Sequence, residues 1–184
     1  VLDGQFFGRP TRFFKQDHSL SGAMFLDSTD PKDLVFDYTN YYSIYSLFTP
    51  KLHNALVIGG GAYSIPKALL THSSDVIVDV SEIEPSLLWL SKKYFAVEDS
   101  SRLRTSAEDG RRMLRDSAKQ YDLIFSDVYY SFFSIPAHFT TVEFFATAKS
   151  KLSKDGVFMA NMIGDLSRRD PSLILSEMRT FQSV

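Results

Sequence analysis

The spacing of apolar residues changes character near residue 50. Upstream, residues 11–15, 23–26 and 34–37 form short β-prone runs, separated by turn sequences such as Ser28-Thr29-Asp30-Pro31. The tyrosine-rich run 38–45 follows. As a helix it brings Tyr38, Tyr41, Tyr42 and Tyr45 onto one face, at i, i+3, i+4 and i+7. Those rings either fill a core with their hydroxyls at its rim, or line a ligand cleft against the second half of the chain. Pro50 closes the segment. It sets the expected boundary between a small β-rich domain, 1–50, and a second domain, 51–184.

Downstream the pattern alternates. Apolar runs at 55–59, 75–83, 102–105, 122–126 and 156–162 read as strands. Helical spacing covers 64–71, 85–94, 141–152 and 171–181, and Glu108 and Asp109 lead into a further helix ending near 118. Pro85 suits the first turn of its helix. Repeated strand–helix units imply right-handed crossovers and a parallel sheet with helices on both faces, an α/β fold.

Composition narrows the partners. A net charge of -2 with mixed signs offers no field for nucleic acid or an anionic membrane. No cysteine is present, which excludes disulfides and thiolate metal sites and fits a cytoplasmic protein. His18, His53, His72 and His138 show no ligand spacing, so no metal is expected. No apolar run approaches the roughly 18 residues of a membrane span. The chain opens on Val1 and stops straight after a helical segment, which reads as a piece of something longer that lacks a closing pair of strands.

The candidate chemistry centres on residues 55–64. Ala55-Leu56-Val57-Ile58 ends on Gly59, Gly60 and Gly61, and a helix-compatible run follows. Glycine has no Cβ and tolerates positive φ, so the backbone there can approach a ligand closely. The next residues, Ala62, Tyr63 and Ser64, do not meet the GxGxxG dinucleotide spacing. The bland alternative is a plain strand-to-helix turn. In open α/β sheets ligands bind beyond the carboxyl ends of the strands, and a carboxylate stands at three of those ends. Glu82, about twenty residues past the glycines, suits the two hydroxyls of a ribose. Asp109 follows the third strand and either accepts from an adenine amino group or caps the next helix. Asp127 follows the fourth strand, where it is expected to face whatever chemistry occurs at the cleft.

These stretches resemble the spermidine/spermine synthase (polyamine aminopropyltransferase) family, which shares the S-adenosylmethionine-dependent methyltransferase fold. The matching segments are ALVIGGG at 55–61, VDVSEIEPSLLWLSKKYF at 78–95, RLRTSAEDGRRML at 102–114, YDLIFSD at 121–127 and IPAHFTTVEFF at 135–145. GAMFLDS and the FDYTNYY run resemble the family's small N-terminal β-domain. The resemblance implies a Rossmann-like parallel sheet, a homodimer, and S-adenosylmethionine or its decarboxylated form as co-substrate, with no metal. Gly59, Gly60 and Gly61 are then expected under the nucleoside's thioether side, Glu82 at the ribose, and Asp109 with Gly110 at the adenine. Asp127 matches the aspartate that helps deprotonate the attacking amine.

Two departures stand out. The aspartate that normally continues the glycine motif is Ala62, and the second aspartate of the acceptor site is Tyr130. His138 and Tyr41 or Tyr42 are candidates for replacement contacts there. Aminopropyl transfer to an amine is the expected reaction. Methyl transfer from undecarboxylated S-adenosylmethionine and a non-catalytic nucleoside-binding module are the alternatives.

Overall fold

The computed structural model of the 184-residue chain describes residues 1–16, 19–129, 135–164, 166 and 173–184. Three antiparallel strands open it: β1 (Leu2–Phe6), β2 (Arg9–Gln16) and β3 (Ser19–Phe25), in that spatial order. Phe6 pairs with Arg9 across a two-residue turn, and both turn residues, Phe7 and Gly8, take positive φ. That backbone twist matches the strands on either side. β1 has no clear alternation to read, since Asp3, Gly4 and Gln5 are all exposed.

Residues 34–37, expected as a strand, do not form one. Arg9 bridges Asp27 and Asp33, at 2.8 and 2.7 Å, and folds the intervening loop back on itself. Leu34 and Val35 are buried as plugs beneath it. α1 (Asp37–Asn40) and a 3-10 segment (Tyr41–Leu47) then replace the expected single helix. Three residues per turn separates the tyrosines. Tyr42 and Tyr45, three apart, are buried, whereas Tyr41 is 64% exposed. The one-face arrangement of all four tyrosines is not adopted.

Five parallel strands form the second sheet: β4 (Asn54–Ile58), β5 (Ile77–Ser81), β6 (Leu103–Ser106), β7 (Tyr121–Ser126) and β8 (Leu152–Ala160). Their order is β6-β5-β4-β7-β8. The connecting helices are α2 (Ser64–Leu69), α3 (Ser86–Tyr94), α4 (Gly110–Asp116) and α5 (Val142–Ser150), and α6 (Leu173–Gln182) follows β8. This is a Rossmann-like, methyltransferase-type architecture. β8 begins four residues earlier than its apolar run, with the register broken opposite Tyr121 and Leu123.

The strand residues point alternately to two cores. Ala55, Val57, Val78, Val80, Leu123 and Phe125 share one with Ile65, Leu69 and Leu87 of α2 and α3. Leu56, Ile58 and Ile124 share the other with Leu114 and Phe144 of α4 and α5. Complete burial of each such aliphatic side chain contributes about 1.5–3 kcal/mol. The first core runs on through Phe14, Leu34, Tyr42 and Tyr45, across the boundary expected near Pro50. The chain leaves β4 for β5 on one side and reaches β7 on the other. The crevice at this reversal lies beyond the ends of β4 and β7.

Candidate active site

The glycine turn after β4 is held from three directions. Gly59 takes φ +92°, and a Cβ on it would lie 2.3 Å from the Asp127 carbonyl oxygen. Gly61 takes φ +51°, with the Ser21 carbonyl of β3 at 2.7 Å from its hypothetical Cβ. Ala62 lies directly against Gly22 of the same strand. The N-terminal sheet therefore sits on the turn, and only glycine fits at 59 and 61 without moving backbone. Tyr63 enters α2 in the left-handed region and is wholly buried.

Glu82, just past β5, is 7% exposed. Its Oε2 accepts the Gly60 N–H at 2.7 Å and the Gly61 N–H at 3.4 Å, and its Oε1 accepts the Glu84 N–H at 2.9 Å. A carboxylate oxygen can take two donors, so Oε1 retains one acceptor direction. The glycine turn and Glu82 thus form one rigid unit.

Asp109 takes one of the two roles that the sequence left open, that of helix cap. Oδ1 caps α4 by accepting the Arg112 N–H at 3.0 Å. Oδ2 takes a hydrogen bond from His138 Nε2 at 2.9 Å, so these two candidate residues are brought together. Gly110 starts α4 hard against β4, where a Cβ would lie 2.1 Å from Ile58 Cγ2.

Asp127 follows β7, its N–H donating to the Ile58 carbonyl at 2.9 Å. Among the described residues its side chain meets only uncharged donors: Asn161 Nδ2 reaches Oδ1 at 2.9 Å, and the Tyr38 hydroxyl reaches Oδ2 at 3.4 Å. Burial raises the Asp127 carboxyl above the ordinary range, and these two hydrogen bonds only partly offset it. Tyr38 is raised in turn, by burial first and then by the Asp127 charge. Tyr129 donates to the Asn161 carbonyl at 2.9 Å and accepts the Ile163 N–H at 2.8 Å. A carboxylate of raised pKa beside neutral partners is suited to taking a proton.

Several expected contacts fall elsewhere. Tyr42 is buried in the main core and Tyr41 is largely solvent-exposed; the tyrosine that meets Asp127 is Tyr38. His138 is tied to Asp109 rather than to the Asp127 group. Tyr130 lies outside the described residues. Asn161 and Tyr129 were not singled out from sequence, yet the rule that found Asp127 applies to Asn161, which follows β8 as Asp127 follows β7. A separate cleft of about 600 Å³ is lined by Met24, Leu34, Lys67 and Arg102 among others, and includes none of these groups.

Comparison with known proteins places the chain among relatives of similar sequence and fold. The chain is 31% identical over 160 residues to the polyamine aminopropyltransferase of Vibrio vulnificus, covering 84% of this chain and 52% of that protein. It thus spans about half the length of that relative. The spermidine synthase of Thermotoga maritima superposes with a TM-score of 0.67 at 21% identity, covering 100% of this chain and 63% of that one. Human methyltransferase-like protein 13, solved with S-adenosylhomocysteine, gives a TM-score of 0.62 at 25% identity over 76% of this chain and 66% of its own. The spermine/spermidine synthase domain model matches residues 39–167, well over half of the chain, and the chain belongs to that family.

Proposed function

We propose that this chain carries the nucleoside site and catalytic carboxylate of a transferase that moves an aminopropyl group from decarboxylated S-adenosylmethionine to an amine. The observation that carries this reading is Asp127: a desolvated carboxylate, hydrogen-bonded among the described residues by Tyr38 and Asn161, across the glycine turn from Glu82. An alkylammonium has a pKa near 10. Asp127 would hold it, take its proton, and leave the amine lone pair free to attack the carbon beside the sulfonium. Carbon–nitrogen bond formation and carbon–sulfur cleavage are then one displacement, with methylthioadenosine leaving. Such a step depends largely on proximity and orientation, which the fixed glycine turn would supply.

The co-substrate fits the residues present. On this reading the free acceptor direction of Glu82 takes a ribose hydroxyl, and Asp109 and Gly110 meet the adenine once His138 shares or yields Oδ2. We also propose that two copies pair through the N-terminal sheet, where Leu2, Phe7 and Leu20 are exposed. Sedimentation as a monomer at high concentration would count against pairing.

A second reading has its own support. Ala62 places no carboxylate on the glycine turn, so nothing there repels the carboxylate of undecarboxylated S-adenosylmethionine, and a structural neighbour was solved with S-adenosylhomocysteine. Thermal shift separates the two. A ligand at about 100 times its dissociation constant adds about 2.7 kcal/mol. Methylthioadenosine giving the larger shift supports aminopropyl transfer, and S-adenosylhomocysteine giving it supports methyl transfer. Neither giving a shift overturns the nucleoside site.

A further inference from the structure

The cleft of about 600 Å³ away from the Asp127 group has walls from β3 and the loop after it, from α2, and from residues 96–102. Its volume is that of an ordinary small-molecule site. Two cations line it. Lys67, on α2, donates from Nζ to the Phe95 carbonyl at 2.9 Å and lies 3.7 Å from Met24 Sδ. An ammonium has three donors, and no carboxylate among the described residues meets this one. Burial holds the Lys67 ammonium below the usual lysine range. Arg102 Nη1 is fixed by the carbonyls of Leu70 and Ser73, each at 3.0 Å. Leu70 stands one turn past Lys67, so both cations gather over the same end of α2. Arg102 Nε and Nη2 donate to no described residue, and these two nitrogens form an edge that grips a carboxylate in bidentate fashion.

Four carboxylates line the same cleft, and two of them are committed. Asp33 is bridged to Arg9, and Asp99 is paired with Lys92. Asp30 and Glu98 enter no ion pair among the described residues. Both are exposed, whereas Lys67 and Arg102 are half-buried. Two uncommitted cations therefore lie deeper than two uncommitted acids, with the apolar side chains of Met24, Leu34, Leu70 and Val97 in the same walls. A half-buried cation without an anion is costly. A ligand of a single sign would meet repulsion from half of this set, and one carrying both charges answers all of it.

We propose that this cleft binds an aliphatic zwitterion of the amino-acid class, its carboxylate on Lys67 and Arg102, its ammonium toward Asp30 and Glu98, and its methylene chain along Met24, Leu34, Leu70 and Val97. The site is separate from the Asp127 group and does not depend on the transferase reading.

The test is calorimetric titration of the full chain with ε-aminocaproate, caproate and hexylamine, which share one chain length and differ in their charged ends. The zwitterion is expected to bind about tenfold tighter than either single-ended compound, as a second charge-assisted contact implies. Lys67→Met keeps the aliphatic stem and removes the ammonium, so ε-aminocaproate should fall toward the level of hexylamine while hexylamine itself binds no less tightly. Lys67→Arg should keep most of the preference. Glu98→Gln, at an exposed position, should weaken ε-aminocaproate several-fold and leave caproate unchanged. That comparison stands even where Lys67→Met does not fold. No binding of ε-aminocaproate at millimolar concentration, equal binding of all three compounds, or a preference untouched by both Lys67→Met and Glu98→Gln overturns the proposal.

Discussion

The Tyr38 hydroxyl donates to Asp127 Oδ2 at 3.4 Å, joining two residues 89 positions apart in the chain. One comes from the short helix that follows the N-terminal sheet, the other from the end of β7. The bond is long, so it tunes the carboxylate more than it locks it. Tyr38→Phe removes one of the two donors among the described residues that lower the Asp127 pKa. The acid limb of the transfer rate should therefore move to higher pH, and kcat should fall several-fold, as for loss of one neutral hydrogen bond. A pH–rate profile of the variant checks both; an unmoved limb would remove Tyr38 from the site.

Asp127 also carries a stability signature. Its folded-state carboxyl lies above the ordinary 3.8 because burial disfavours the charge. From 3.8 up to that raised value the folded chain keeps a proton that the unfolded chain has released, so stability falls as pH rises through this window and levels off above it. Asp127→Asn should abolish turnover, hold nucleoside affinity within a few-fold, and remove this fall. Denaturant unfolding from about pH 3 to about pH 8 makes the comparison; a wild-type curve that rises with pH in that window because of Asp127 contradicts the assignment.

His138 occupies the Asp109 oxygen proposed above for an adenine contact. His138→Ala frees that oxygen and leaves the Arg112 cap in place, so methylthioadenosine should bind as well as to the wild type or better. Asp109→Ala loses both contacts: about 1 kcal/mol of stability from the cap, together with nucleoside affinity. Calorimetry on the two variants distinguishes them. Equal weakening by both would mean that His138 itself supports the nucleoside.

Gly110 is required by packing. A methyl group there would sit 2.1 Å from the buried Ile58 side chain, so α4 would have to move off β4. Gly110→Ala should cost about 2 kcal/mol, within the usual range for overpacking. Chemical denaturation reads this directly, and a neutral substitution would show that α4 shifts freely.

Asp79 lies in the middle of β5 at 2% exposure, paired with Lys119 and hydrogen-bonded by the Tyr121 hydroxyl at 3.1 Å. Lys119→Met strands that charge in the sheet. A loss of about 3 kcal/mol is expected, as when one partner of a buried pair is removed. Adding Asp79→Asn should recover much of it in a urea titration, and no recovery would place the cost elsewhere.

The sequence alone determined the strand–helix alternation, the glycine turn after β4, and the carboxylates that follow β5, β6 and β7. Those features follow from local rules: apolar periodicity, glycine freedom, and the ends of parallel strands as ligand sites. It also located Gly110 and His138, though not what they touch. Only the tertiary structure decided which tyrosine meets Asp127, because a change from 3.6 to three residues per turn at Tyr41 redirects every ring in that run. It likewise joined His138 to Asp109, Tyr38 to Asp127 and Asn161 to Asp127, across 29, 89 and 34 residues. The false strand at 34–37 has the same origin. Its apolar residues satisfy a strand pattern locally, but the Arg9 bridges to Asp27 and Asp33 fold the loop so that they plug a core instead. Contacts of this kind are set by how the two sheets stack, and no short window of sequence contains both partners.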